Sequence, residues 1–338
     1  MNKKLNIPVL YNGRFTFLDE DGNFHKQFAF DHVREHSFSY GYCPFLNYGK
    51  LSSKERKYKW KEGYLHESGQ ITSIIGYEHL SPFRHGLSRV RKDNLYGYLN
   101  TNLEEFITCE FVDAGQFSEG LAYVSKDSKY GYIDEKGETV LDFKYNIAND
   151  FSCDRAYVET DNDKCFINKK GEHVFSLEHG IYTSNFFRDG LIKTWDDSLQ
   201  FGFLDTNGEI VVNMIYKDAI DFSEGLAAVR VEDKWGVINT QGDMVIHPKY
   251  FFISSFCKGV AIVCIQRNKK LYWGCIDRNG KEIIPIEFNK CESYSGEYIL
   301  ASIDDEYFYF NNKGESFFKQ ERNKLNKYLS FFKKLNIR

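Results

Sequence analysis

The sequence predicts an all-β protein assembled from tandem repeats of about 34 residues. Phe and Tyr, which favour strands, number 30 and 23 in the composition. An aromatic anchor, written Phe-x-x-Gly in most copies, returns at a nearly constant interval, at Phe83, Phe117, Phe151, Phe187, Phe222 and Phe256. A second register of glycines, from Gly137 to Gly314, returns at a similar interval, which is typical of a repeat array.

Each repeat contains three strand-length segments. In the best-defined copy they are residues 226–231, 235–239 and 244–246. Glu232 and Asp233 separate the first two segments and favour a tight hairpin turn. The repeat is therefore predicted to be a three-stranded meander, with the anchor Phe and the aromatic ring of the Trp235-Gly236 step in its core.

The turn before the third segment carries the pattern Asp/Asn-x-x-Gly, as in Asp134/Gly137 and Asn239/Gly242. A calcium site is one interpretation of these acids, but Asn replaces Asp between copies and removes the charge that calcium requires. An Asx side chain that caps its own turn explains both residue types. At the anchor, Asp154 replaces glycine, so that copy is predicted to be looser or to adopt a left-handed backbone.

The segments Phe222-Ser-Glu-Gly-Leu-Ala-Ala-Val and Lys234-Trp-Gly-Val-Ile-Asn resemble the WG-containing repeats found mainly in bacterial proteins. The resemblance covers about residues 83–314. It implies a β-rich repeat scaffold that acts as an interaction module, and it supplies no catalytic residues.

The chain is predicted to have three parts. Residues 1–82 form diverged N-terminal repeats or a cap with a polar insert at 50–57, and residues 83–314 form the repeat array. Residues 315–338 are predicted to contain a basic amphipathic helix, because residues 319–338 hold seven Lys or Arg against one Glu. Its apolar stripe is Leu325, Tyr328, Leu329, Phe332 and Leu335. We expect this helix to cap the last repeat; docking on a membrane or an acidic partner is the alternative.

Two architectures fit such repeats. An open, superhelical solenoid-like array needs capped ends, and both termini have the character of caps. A closed β-propeller of seven or eight blades removes the ends, but its blades commonly use about 40–45 residues. Because the repeat is shorter than this and four strands must fit in each blade, the sequence favours the open array.

Recognised catalytic and metal-binding motifs are missing from the sequence. It has no phosphate loop, dinucleotide fingerprint, GxSxG or HExxH. His32 and His36 would share a helical face without completing a ligand set, and Cys257, Cys264, Cys275 and Cys291 match no zinc module. We therefore predict no metal, no cofactor and no catalytic residue, and one short basic run in a chain of net charge −4 predicts no nucleic-acid partner.

A variable face of the first strand in each repeat is the candidate partner surface. Equivalent positions line up between copies and offer side chains that commonly anchor protein interfaces. These residues are Arg89, Tyr123, Tyr157, Lys193, Trp195 and Arg230. The alternative is that another strand or sheet covers this face.

These observations predict a non-enzymatic scaffold that binds a protein partner in the bacterial cytoplasm, as an immunity or regulatory binder. Eight cysteines without a CxxC pair fit a reducing compartment, and neither a secretory signal nor a membrane-spanning apolar run is visible. A carbohydrate- or cell-envelope-binding module is the alternative, and an enzyme with an active site between repeats is the third.

Overall fold

The computed structural model describes residues 5–11, 14–19, 25, 27–28, 30–33, 38–48, 60–294, 298–304 and 306–321, and within them every regular element is a strand. These residues include no helix with the length and apolar character needed to cross a bilayer. The chain divides into two compact units, one within residues 1–143 and the other spanning residues 144–321.

The first unit contains an N-terminal hairpin and three sheets, the last of which ends just past the unit boundary. The hairpin comprises β1 (Leu5–Tyr11) and β2 (Arg14–Asp19). Sheet 1 comprises β3 (His32–Val33), β4 (Tyr42–Tyr48), β5 (Trp60–His66) and β6 (Ile71–Ser73). Sheet 2 comprises β7 (Leu87–Lys92), β8 (Leu95–Asn100) and β9 (Glu105–Phe111). Sheet 3 comprises β10 (Asp113–Ala114), β11 (Leu121–Lys126), β12 (Lys129–Asp134) and β13 (Thr139–Tyr145).

The second unit contains five sheets of four strands each. Sheet 4 comprises β14 (Ile147–Ala148), β15 (Ala156–Glu159), β16 (Lys164–Ile167) and β17 (His173–Ser176). Sheet 5 comprises β18 (Ile181–Thr183), β19 (Leu191–Asp196), β20 (Phe201–Asp205) and β21 (Ile210–Tyr216). Sheet 6 comprises β22 (Asp218–Ala219), β23 (Leu226–Val231), β24 (Lys234–Asn239) and β25 (Met244–Tyr250). Sheet 7 comprises β26 (Phe252–Ile253), β27 (Val260–Arg267), β28 (Lys270–Asp277) and β29 (Glu282–Phe288). Sheet 8 comprises β30 (Lys290–Tyr294), β31 (Tyr298–Ile303), β32 (Glu306–Asn311) and β33 (Ser316–Glu321).

The repeat has four strands, and the predicted three-stranded meander is wrong. In each four-stranded sheet the strands are antiparallel and follow chain order, and a short first strand precedes the three that the sequence predicts. In sheets 3, 4, 6 and 7 this first strand has only two residues. In sheet 6, for example, it is Asp218–Ala219, and Ala219 pairs with Val229 of β23. The short repeat therefore does accommodate four strands, which removes the argument that favoured an open array.

The predicted C-terminal helix is also wrong where the chain is described. Residues 316–321 form β33, which pairs with β32 in the register Tyr307↔Gln320 and Tyr309↔Phe318. This pairing supplies hydrogen-bond partners to the backbone groups along the edge of β32. A helix formed by residues 316–321 would leave those groups of β32 without strand partners. The apolar stripe predicted for residues 325–335 and the polar insert at 50–57 lie outside the described residues, and the boundaries 1–82, 83–314 and 315–338 stay predictions.

The anchor phenylalanines are core residues, as predicted. All six are at most 2% exposed. Within each unit they pack where two successive sheets meet: the Phe222 ring lies 4.6 Å from Phe203 on the middle strand of the preceding sheet, and Phe117 lies 4.9 Å from Tyr98. Burying a phenylalanine contributes about 3 kcal/mol, so these contacts hold neighbouring sheets together.

The polar residues next to the anchor also connect successive repeats. Ser223 donates its hydroxyl to the carbonyl of Phe256 at 2.7 Å, and the Glu224 carboxylate accepts the amide hydrogens of Lys258 and Gly259 at 2.5 and 2.9 Å. The Ser-Glu pair of the repeat motif therefore satisfies backbone donors and acceptors of the next copy.

Glycine in the Trp–Gly step permits a close backbone approach. A Cβ at Gly236 would lie 2.6 Å from the carbonyl oxygen of Ile246 and 3.0 Å from the nitrogen of Pro248. The third strand bulges over this point, since Trp235 pairs with Tyr250 and Val237 pairs with Ile246.

The Asx-x-x-Gly segments are turns capped by their own side chain. Asp277 Oδ1 accepts the amide hydrogens of Asn279 at 2.9 Å and Lys281 at 2.8 Å, and Asn239 makes the same bonds in its own turn. An amide oxygen serves as well as a carboxylate here, which explains why Asn and Asp alternate.

We predict that Gly236→Ala lowers the free energy of unfolding by about 3 kcal/mol, because the new methyl group must displace the third strand. Gly259→Ala is the matched control: nothing lies within 4 Å of its Cβ, and only its φ of +81° opposes the change, at about 1 kcal/mol. Denaturant unfolding measures both, and equal losses would contradict the close-approach argument.

We predict that Asp277→Ala destabilises the protein by about 1 kcal/mol, because two amide hydrogens lose their acceptor. Asp277→Asn changes the free energy of unfolding by only a few tenths of a kcal/mol, since the amide oxygen still accepts both hydrogen bonds. Thermal unfolding with calcium and with chelator provides the comparison; a calcium-dependent gain lost in Asp277→Asn would favour the metal interpretation instead.

Candidate binding site

One repeat departs from the common pattern, and it forms sheet 4. Lys164-Cys165 stand where sheets 2, 3, 5, 6 and 7 have an aromatic residue and glycine, and Asp154 stands where those sheets have the bend glycine. The left-handed backbone predicted there is confirmed, with φ of 59° at Asp154. The third strand, β17, has four residues where its counterparts in sheets 3, 5, 6 and 7 have seven.

The third strand of sheet 4 pairs with Cys165 and not with a glycine. In sheets 2, 5, 6 and 7 the third strand bulges over a glycine, where a Cβ would lie no more than 2.6 Å from a carbonyl oxygen of that strand. In sheet 4 the third strand instead pairs directly, with Cys165 opposite Ser176 and Phe166 opposite Phe175. The chain then leaves the sheet after Ser176 and runs to β18 through residues 177–180.

This segment borders a cavity of about 620 Å³ between sheets 4 and 5. Its walls are residues 177–185 together with Ile147, Asn149, Tyr157, Glu159, Lys164 and Trp195. A cavity of this size accommodates a small molecule or a few side chains of a partner.

Two stacked rings, Tyr182 and Trp195, form an aromatic shelf on one wall. They are cross-strand partners of β18 and β19, with ring centroids 6.2 Å apart and planes 20° from parallel. Phe201 supports the indole from the next strand at 5.8 Å, and the Tyr182 hydroxyl donates to Asp197 at 3.1 Å. Tyr182 remains 48% exposed, so the shelf presents a ring to solvent.

A second part of the cavity wall is polar and consists of Tyr157, Glu159 and Lys164. The Tyr157 hydroxyl donates to Glu159 Oε1 at 2.6 Å, and Lys164 Nζ lies 3.1 Å from Oε2 of the same carboxylate. The Tyr157 hydrogen bond and the Lys164 charge lower the pKa of Glu159, while burial and Glu159 raise the pKa of Tyr157. Glu159 is therefore an ionised acceptor at neutral pH.

Exposed apolar side chains are frequent on sheet 5. The described residues of sheet 5 and its loops expose six large apolar side chains, of which Tyr182 lines the cavity: Tyr182, Phe186, Leu199, Ile210, Val211 and Ile215. Exposed apolar surface is available for contact with another molecule.

Of the six candidate residues predicted from sequence, the structure brings Tyr157 and Trp195 to this one cavity. Arg89 lines a separate cavity of about 310 Å³ in the first unit and donates to the carbonyl of Ala114 at 2.5 Å. Lys193 makes the equivalent contact in the second unit, to the carbonyl of Ala219 at 3.2 Å. These two cations therefore connect successive sheets.

The remaining two candidates lie elsewhere. Tyr123 packs edge-on against Tyr130 with centroids 5.8 Å apart, and Arg230 lies 3.4 Å from the carbonyl of Lys217 and 3.8 Å from Asp218. A partner-binding role for Arg89, Tyr123, Lys193 and Arg230 stays a prediction. Sequence reasoning missed Tyr182 and residues 177–180, although Lys164-Cys165 and Asp154 already marked the irregular repeat.

One group of potential metal ligands lies next to the cavity. Among the described residues, Asp163, Cys165 and His173 place their ligand atoms within 4.8 Å of one another. Burial raises the pKa of the Cys165 thiol to about 11, so without a metal the thiol stays protonated at neutral pH and is a poor nucleophile. His36 of the sequence-derived histidine pair lies outside the described residues.

We predict that Tyr157→Phe raises the pKa of Glu159 toward its ordinary value, because the largest cause of the lowered pKa is removed. Because the pKa of Glu159 is lower in the folded protein than in the unfolded chain, its ionisation stabilises the fold above the unfolded pKa, and this stabilisation is lost as the pH falls through the folded pKa. The Glu159 carboxyl of the wild type therefore stays ionised to a lower pH than that of Tyr157→Phe. Carboxyl-carbon NMR titration measures this. Tyr77→Phe, which removes the equivalent bond to Glu105, is the matched control and leaves Glu159 unchanged. An unshifted Glu159 in Tyr157→Phe would contradict the assigned cause.

Comparison with solved structures shows the fold. Dipeptidyl peptidase 4 from Porphyromonas gingivalis aligns with 96% of this chain and 59% of its own, at 10% identity and a TM-score of 0.51. This likeness to a propeller structure identifies sheets 1 to 8 as blades of a β-propeller, so the predicted open superhelical array is wrong. The chain spans 59% of the peptidase's length, and at this identity the likeness concerns the fold alone.

Two other solved structures are similar at a lower level. BamB from Moraxella catarrhalis aligns with 72% of this chain and 87% of its own, at 12% identity and a TM-score of 0.38. Apo AztD from Citrobacter koseri aligns with 95% of both chains, at 10% identity and a TM-score of 0.38. Neither likeness bears on function.

Comparison with curated protein sequences gave no match. The family model described as WG containing repeat matches six tandem segments, at residues 63–96, 96–130, 130–165, 201–235, 235–269 and 273–307. The unmatched residues 166–200 include β17, the segment 177–185 and Trp195, so the break in the family pattern coincides with the cavity. The matches cover more than half of the sequence, and the chain belongs to the WG containing repeat family.

Proposed function

We propose that this protein is a non-catalytic binding module that holds a protein partner on sheet 5, with part of the partner seated in the cavity beside it. The observation that carries the proposal is the cavity of about 620 Å³ at the repeat of sheet 4, most of whose lining lies in residues 166–200, which the family model leaves unmatched. Repeat β-propellers are commonly of a protein-binding type, which supports the same conclusion.

The apolar surface favours a protein over a small ligand alone. A stable protein interface buries about 800 Å² on each partner, more than a cavity of this size offers, and the exposed side chains of sheet 5 extend the available area. Tyr and Trp are frequent anchors of such interfaces, and the aromatic shelf holds one of each in a fixed orientation.

The cytoplasmic setting is part of the proposal. Its support is that the eight cysteines of the sequence form no CxxC pair and no regular disulfide framework, as expected in a reducing compartment. An immunity or regulatory binder is one form that such a module takes, because a fixed surface on a repeat scaffold suits one-to-one recognition.

The test compares partner capture by the wild type and by Trp195→Ala and Tyr182→Ala. We expect each substitution to weaken binding of a captured partner by about 30-fold or more, as for interface anchors. Val245→Ala, which shortens an exposed apolar side chain of sheet 6, is the matched control and retains the partner. Affinities measured with the purified partner, and circular dichroism of every variant, separate lost binding from lost fold.

A partner bound equally by all four proteins would contradict the proposed surface. If no protein binds but soluble oligosaccharides quench the tryptophan fluorescence of the wild type and not that of Trp195→Ala, the carbohydrate-binding alternative replaces the proposal. That alternative draws on the exposed Tyr182 ring beside polar cavity residues such as Glu178 and His179.

A further inference from the structure

We propose that Asp163, Cys165 and His173 bind one Zn²⁺ ion. Their ligand atoms all lie within 4.8 Å of one another. Ligands held about 2.0–2.3 Å from a tetrahedral zinc ion are separated by about 3–4 Å, so small side-chain rotations close the site. Thiolate, imidazole and carboxylate are the three ligand types that zinc takes from proteins.

A β-bulge places the two strand ligands on one face. Cys165 lies opposite Ser176, and Ile167 lies opposite His173, with the register shift between Phe166 and Ile167. Residues 173 and 176 are three apart and would point to opposite faces of a regular strand. The extra residue at the bulge returns the His173 side chain to the face of Ser176, and its Nε2 lies 3.0 Å from the Ser176 hydroxyl.

A side-chain-capped turn fixes the third ligand. Thr160 Oγ1 accepts the amide hydrogen of Asp163 at 3.0 Å, and the Thr160 amide donates to the Asp163 carbonyl at 2.8 Å. The turn from β15 to β16 therefore ends with Asp163 two residues before Cys165, on the same face of the strand.

Ser176 lies between two of the ligands and serves as a positioning residue. Its hydroxyl is 3.0 Å from His173 Nε2 and 3.5 Å from Asp163 Oδ1. Hydrogen bonds of this kind orient metal ligands and change metal affinity about 10- to 100-fold when removed.

The neighbouring charge does not oppose a cation. Lys164 separates Asp163 from Cys165 in sequence, but alternation along β16 directs its side chain to the other face, where Nζ pairs with Glu159 at 3.1 Å. The three ligands thus lie on one face of the β16–β17 pair, and Lys164 of the polar wall lies on the other face of β16.

Comparison with the other repeats shows that the ligand set is not a by-product of the motif. The positions of Asp163, Cys165 and His173 correspond to Lys129, Gly131 and Thr139 in sheet 3. In sheet 6 they correspond to Lys234, Gly236 and Met244. The ligand set is therefore particular to sheet 4 and does not follow from the residues that the regular copies share.

The experiment titrates Co²⁺, a spectroscopic substitute for Zn²⁺, into the chelator-treated full-length protein. We expect one equivalent to bind with a near-ultraviolet thiolate band and visible bands typical of tetrahedral coordination, and Zn²⁺ to displace it. Cys165→Ser, His173→Gln and Asp163→Asn weaken binding by about 100-fold or more, and Ser176→Ala by about tenfold.

Two variants serve as matched controls. Cys257→Ser removes an exposed thiol and His179→Gln removes a histidine of the cavity, and both bind cobalt like the wild type. If Cys165→Ser fails to fold, Cys165→Gly takes its place, because glycine is the residue at this position in sheets 2, 3, 5, 6 and 7. Absence of the thiolate band in the wild type, or unchanged affinity in Cys165→Ser or Cys165→Gly, would overturn the proposal. Partner capture is a separate measurement, and its outcome does not decide whether the three ligands bind a metal ion.

Discussion

The contact between the anchor phenylalanine of one repeat and the middle strand of the preceding repeat is the interaction on which the structure depends. A lone four-stranded sheet buries too little apolar surface to be stable, so each blade needs its neighbour. Phe222 against Phe203 and Phe117 against Tyr98 supply that burial towards the preceding blade, and the Ser223 and Glu224 bonds connect the same repeat to the blade that follows. The most regular residues of the sequence are therefore those that face an adjacent repeat.

This constraint leaves other positions of a repeat free to change. Sheet 4 keeps its anchor Phe151 and its middle-strand Phe166, both at most 1% exposed, while it loses the Trp–Gly step. Phe175 stacks on Phe166 at 4.6 Å from the register position that Val212 and Ile246 hold in sheets 5 and 6. Phe187 of the next repeat still contacts Phe166 at 5.5 Å. The blade-to-blade contact thus survives in the copy that forms the cavity.

The irregular blade also separates two kinds of chemistry. Because side chains alternate along β16, Lys164 joins the polar wall of the cavity, and Cys165 joins Asp163 and His173 on the other face. In this blade Cys165 holds the register position of the glycine, the third strand has four residues, and the cavity lies beside β18. The proposed partner surface and the proposed metal site therefore belong to the same irregular blade, although each is tested on its own.

By itself the sequence determined the repeat period, the all-β class, the buried anchors, the capped Asx turns and the left-handed backbone at Asp154, because these depend on residues close together in the chain or repeated in register. The tertiary structure decided what depends on distant partners. The two-residue first strand of most blades, such as Asp218–Ala219, is too short to leave a sequence pattern and exists only because β23 pairs with it. Strand 316–321 is likewise defined by its pairing with β32, where local charge and apolar spacing had predicted a helix. The meeting of Tyr157 with Trp195 and Tyr182 in one cavity required the packing of sheets 4 and 5, and the meeting of Asp163 with His173 required a bulge in the third strand, neither of which periodicity specifies.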